Sequence, residues 1–121
     1  MKYSALVLLL LLLSCQTTPE LEEGRWTGAL TPMRHPEMEN PVAYEISYQS
    51  GTLNIELIGP NGTVIKTRQP KAEADTLFFT FKEPEEQALL DCALAKNITG
   101  FAGRCTDPSG KWAHFTMVSP E

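Results

Sequence analysis

Val42-Ala43-Tyr44-Glu45-Ile46-Ser47-Tyr48-Gln49, then Ser50-Gly51, then Thr52-Leu53-Asn54-Ile55-Glu56-Leu57, is an alternation of large apolar and polar residues broken by one tight turn. Period two puts Val42, Tyr44, Ile46 and Tyr48 on one face of a strand, and Leu53, Ile55 and Leu57 on one face of the next. Two strands joined by a two-residue connection pair antiparallel, and their shared apolar face demands a core.

The same pattern runs outward in both directions. Leu77, Phe79 and Phe81 share a face, as do Ala88, Leu90, Cys92 and Leu94. Between the runs lie Pro60-Asn61-Gly62, Glu83-Pro84-Glu85, Asn97 to Gly100 and Asp107-Pro108-Ser109-Gly110, all with turn chemistry. Eight strands are expected, near 25–31, 42–49, 52–58, 63–68, 76–82, 87–95, 101–106 and 111–118. Glu83 to Leu90 has room for one helical turn, and nothing else reads as helix. Short connections imply an all-β antiparallel meander. Closing it as a small barrel removes the exposed edges; a two-sheet sandwich is the alternative.

The first strand opens Gly24-Arg25-Trp26. A Gly-x-Trp on strand one of an eight-strand meander resembles the lipocalin-like (calycin) barrels, in which the tryptophan closes one end. That family also sets an arginine of the last strand against the tryptophan, whereas Lys111 to Val118 has none. The chain is also shorter than a typical lipocalin.

The N-terminus reads as an address. Lys2 precedes an apolar run of nine residues, Ala5 to Leu13, which is the length of a signal-peptide core and far short of a membrane span. The run ends Leu12-Leu13-Ser14-Cys15, which resembles the bacterial lipobox. The resemblance implies that residues 1–14 are removed and that Cys15 becomes the new N-terminus. It would carry diacylglycerol on its thiol and an acyl chain on its amino group. Gln16 in place of Asp points to the outer membrane of a Gram-negative envelope, facing the periplasm or the surface. The polar residues 15–23 are expected to be a flexible tether, and 24–121 the barrel domain.

With Cys15 assigned to lipid, Cys92 and Cys105 remain as a pair in an oxidising compartment. They are equidistant from the Ile98–Thr99 centre of the turn, so a symmetric hairpin sets them opposite each other, at disulfide range. Phe101 and Gly103 share the face of Cys105, so both cysteines are expected to point inward.

At 121 residues the chain makes one domain, burying about 60–70% of its unfolded surface. Its formal net charge is −5, and removal of Lys2 makes it more negative. The nine other cations are scattered without a basic patch, so nucleic acid is not an expected partner.

No Gly-x-Ser-x-Gly is present, and nothing ties His35 or His114 to a serine. Two histidines without ligand spacing make no zinc motif, and no metal, cofactor or catalytic residue is expected. Arg34, His35, Glu37 and Glu39 read as a solvated loop, and Glu83, Glu85 and Glu86 as a solvated acidic turn. The longest connection, Thr31 to Pro41, carries three prolines with Met33, His35 and Met38, and is the candidate mouth loop.

The expectation is therefore a non-enzymatic envelope lipoprotein. Its partners would be the membrane, through Cys15, and a small apolar or amphipathic ligand or an envelope protein. The alternative is an inhibitor with a filled barrel. Ser109-Gly110-Lys111-Trp112 is similar to the Ser-Gly-x-x-aromatic motif of bacterial lysozyme inhibitors.

Overall fold

A computed structural model describes residues 21–85 and 87–120. Cys15, Gln16, the signal segment and Glu86 lie outside the described residues. Nine strands follow in chain order: β1 (Gly24–Pro32), β2 (Asn40–Gln49), β3 (Thr52–Ile58), β4 (Val64–Lys66), β5 (Arg68–Glu73), β6 (Thr76–Lys82), β7 (Leu89–Lys96), β8 (Gly100–Thr106) and β9 (Trp112–Val118). They form one antiparallel sheet in the order β4-β3-β2-β1-β9-β8-β7-β6-β5. β1 pairs with both β2 and β9, so the first and last long strands meet. The result is a nearly closed all-β barrel, consistent with a lipocalin-like fold, and the sandwich alternative does not form.

The count of nine corrects the expected eight. β4 and β5 are separated only by Thr67. β4 pairs with β3, and β5 with β6. The segment Val64 to Glu73 therefore spans the two open edges of the sheet. At the crossing, the Thr67 backbone N–H and hydroxyl both donate to the Ile55 carbonyl, at 3.1 and 2.7 Å. The register shifts between Arg68 and Lys71, and Gln69 has a φ of 50°. Such a bulge leaves a position out of the ladder, which suits Pro70 because it has no N–H to offer. β5 has no large apolar side chain; Pro70 and Ala72 are its partly buried positions. That is why alternation did not mark it as a strand.

The room for a helical turn between Glu83 and Leu90 is not used for a helix among the described residues. Gln87 N–H donates to the Glu83 carbonyl at 2.9 Å, but Gln87 has a φ of 61° and the chain turns at once into β7. No helix occurs among the described residues.

The inward faces follow the alternation. Tyr44, Ile46, Ile55, Leu57, Leu77, Phe79, Phe81, Leu94, Phe115 and Met117 are buried. Cys92 pairs with Cys105 in register, and they form a disulfide with Cα atoms 4.0 Å apart. Both cysteines are buried, so the bond faces the core.

One interruption in the β1–β9 ladder has an evident cause. Thr27 pairs with Val118 and Leu30 with Phe115, but the two positions between are unpaired. There the Thr116 carbonyl accepts a hydrogen bond from the Tyr44 hydroxyl at 2.9 Å. The Thr116 hydroxyl takes over on the β1 side, accepting from the Ala29 N–H at 3.0 Å. A Cβ at Gly28 would collide with the Thr116 carbonyl oxygen, so glycine at 28 leaves the room this carbonyl uses. Burial holds the Tyr44 phenol far above its ordinary pKa, so it stays protonated and donates.

Candidate functional site

The barrel has two unlike ends. The end at which β1 begins and β2 finishes is plugged. Trp26 is buried there, with its ring 6.0 Å from that of Phe101 and its Nε1–H donating to the Glu22 carbonyl at 2.9 Å. Phe101, on β8, is the aromatic partner of the tryptophan at this end. Gly24 has a φ of +128°, in the region that favours glycine, and its position turns the incoming chain into β1.

The chain ahead of Gly24 is docked against this end rather than loose. Leu21 is buried with the core. The Tyr48 hydroxyl accepts from the Leu21 N–H at 3.0 Å and donates to the Leu21 carbonyl at 3.3 Å. The Glu23 carboxylate accepts from the Tyr48 backbone N–H at 3.0 Å. Residues 21 and 23 thus pack on and bond to the plugged end.

The opposite end is open. It is ringed by the connections β1–β2, β3–β4, β6–β7 and β8–β9, and it encloses a cavity of about 1000 Å³ that opens to solvent. Leu57, Phe81 and Phe115 are buried and make its floor. Leu30, Val42, Ile65, Leu90 and Ala113 line the wall and are only partly buried. Charge is confined to the rim: Arg34 on the β1–β2 connection, Asp107 and Lys111 on the β8–β9 connection, and Glu83 and Glu85 on the β6–β7 connection.

Phe115 on the floor and Lys111 at the rim are four residues apart, which is about 13 Å of strand and roughly 10 Å of depth at the usual barrel tilt. The filled half thus ends at Tyr44 and Phe79, both fully enclosed, and the hollow half begins just beyond them.

The mouth loop is ordered by its own backbone. Met33 N–H donates to the Trp112 carbonyl, His35 N–H to Pro32, and Met38 N–H to His35, at 3.2, 3.1 and 2.9 Å. Met33 and His35 line the cavity. Met38 does not, and it is 46% exposed. His35 Nδ1 lies 3.4 Å from the Glu37 carboxylate, with both side chains exposed.

Across the rim, Asp107 organises the β8–β9 turn. Its carboxylate accepts from the Ser109 N–H, the Ser109 hydroxyl and the Lys111 N–H, at 2.9, 2.8 and 2.9 Å. The Ser109 hydroxyl bond, followed by the Lys111 and Ser109 backbone bonds and the Lys111 charge, holds this carboxyl below its ordinary pKa. In Ser109-Gly110-Lys111-Trp112, Ser109 and Gly110 belong to this turn, a single residue separates Gly110 from Trp112, and Trp112 opens β9. The guanidinium of Arg104 lies 4.0 Å from the centre of the Trp112 ring, a cation–π stack that steadies the rim.

No group of three or more His, Cys, Asp or Glu side chains converges among the described residues. A second, shallow hollow lies on the outer wall beside the β5 bulge, where the Lys71 ammonium sits 5.7 Å from the centre of the Phe78 ring. Alternation identified the inward faces, but which inward residues make the floor and which the plug depends on the barrel ends. Leu21 gave no periodic signal, because it sits alone among acids and threonines. Compared with family models, with curated proteins and with solved structures, the chain matches none.

Proposed function

We propose that this chain is a lipid-anchored, non-enzymatic envelope protein whose open barrel end holds a small apolar or amphipathic molecule. The observation that carries the reading is the cup itself: an aliphatic and aromatic floor and wall beneath a charged rim. Such a cup buries the apolar part of a ligand and leaves its polar part at the rim. About 10 Å of depth suits a ring or a short chain better than a full-length acyl tail. A filled barrel would favour the inhibitor alternative, and the hollow half argues for a ligand instead. The lipid anchor rests on the lipobox-like Leu12-Leu13-Ser14-Cys15.

The test is titration of the purified protein with an apolar fluorophore such as 1-aminoanthracene, followed in wild type and in Leu90→Arg. Leu90 is a partly buried wall residue. A charge there should weaken binding by about tenfold or more, the effect of roughly 1.4 kcal/mol, with the far-UV spectrum unchanged. Absence of saturable binding in the wild type, or equal binding in the variant, would sink the reading.

A further inference from the structure

We infer that the plugged end of the barrel is the surface that rests on the bilayer, so that the mouth opens away from the membrane. This rests on Cys15 being the lipidated residue. The argument begins at Leu21, which is buried in the plugged end and held through its N–H and its carbonyl by the Tyr48 hydroxyl. Only five residues, 16–20, separate it from Cys15. Even fully extended, the six Cα–Cα steps of that connection reach about 20–22 Å. The wall it would have to climb to bring the mouth to the lipid is longer. From its first Cα to its last, nine-residue β1 covers about 26 Å of strand and roughly 20 Å of height at the usual tilt, and the rim loops, residues 59–63 among them, stand beyond it. With Leu21 docked, a taut linker reaches no further than the top of β1 and leaves the rim loops short of the bilayer, whereas the plugged end stays within reach of it.

The surface at that end fits a lipid interface. Two of its turn tips, Ser50-Gly51 and Asn97-Ile98-Thr99, are uncharged, and the third, Ala74-Asp75, carries a carboxylate. Ile98 stands fully exposed at the tip of the β7–β8 hairpin, where an isoleucine has no partner in its own fold but would gain one in the headgroup region. Two ion pairs stand towards this end, Arg25–Glu45 and Lys71–Glu73; beyond them the exposed Glu22, Glu23 and Asp75 outnumber Lys96. Contact through anionic headgroups is therefore disfavoured, and the partner surface is a zwitterionic lipid layer. A ligand would enter from the aqueous side, with the anchor at its back.

The experiment uses the full lipidated protein in phosphatidylcholine vesicles, with a small fluorophore on Ile98→Cys or on Asn61→Cys at the mouth. Lipids carrying a nitroxide on the headgroup report proximity by quenching. Quenching should be several-fold stronger at position 98 than at position 61. Equal quenching, stronger quenching at 61, or no quenching at either site in protein that floats with the vesicles overturns the orientation. Intact mass of the same samples separates the two failures: a chain without lipid on Cys15 removes the anchor, and the orientation with it.

Discussion

Replacing Tyr44 with phenylalanine removes one oxygen and leaves packing otherwise intact. Tyr44 is fully enclosed, and its hydroxyl is the partner of a Thr116 carbonyl that has left the β1–β9 ladder. In Tyr44→Phe that carbonyl keeps its inward position and loses its donor. A part-buried acceptor stripped of its partner costs about 1–3 kcal/mol. For a domain of this size each kcal/mol lowers Tm by about 4–8 °C. The assay is urea unfolding at pH 7, together with thermal melts.

Thr116→Val, which strips the Ala29 N–H of its acceptor, should cost about 1 kcal/mol. The double variant should cost less than the two combined, because the Thr116 carbonyl is then free to re-enter the ladder opposite Ala29. The sign with pH follows from the raised phenol. Folding favours the protonated form, so this contribution is complete below the unfolded value near 10 and fades as pH climbs above it. Wild type should therefore lose stability in alkali more steeply than Tyr44→Phe. A Tyr44→Phe protein as stable as wild type, with the same alkaline profile, would refute the bond and the cause assigned to the ladder break.

Two further outcomes follow from the hairpin and the rim. Cys92→Ala with Cys105→Ala opens a loop with a sequence separation of 13. It should cost about 3 kcal/mol; two free thiols in denatured, unreduced residues 16–121 of the unsubstituted protein, purified from the periplasm, would contradict the pairing. Asp107→Asn should melt below wild type at neutral pH and together with it in acid. A carboxyl whose folded pKa is depressed contributes stability above its unfolded value and loses it as pH falls through the folded one, below roughly pH 4. Parallel melting curves across that range would count against a charged Asp107 organising the turn.

Much of this molecule is local, and local features are legible in one dimension. The alternation of Tyr44, Ile46 and Tyr48 with Glu45 and Ser47 requires a half-buried strand wherever it is placed. The centre of the turn at Ile98–Thr99 sets the register that brings Cys92 opposite Cys105, because hairpin partners are determined by counting from the turn. What the alternation could not contain was decided by contacts between distant parts of the chain. Val64 to Glu73 is two strands because its halves answer to different neighbours, and β5 carries no apolar period of its own.

Leu21 is core because Tyr48, far along the chain, satisfies its backbone. The Thr116 carbonyl turns inward because a tyrosine from another strand needs it and Gly28 leaves room. The inward faces of β2 from Val42 onward, of β3 and of β6, read from alternation, are apolar along their whole length. Only barrel closure separates Trp26 and Tyr44, which fill one half, from Leu30 and Val42, which line a hollow in the other. A period of two specifies which side of a strand faces in, whereas the volume on that side depends on how the sheet curls.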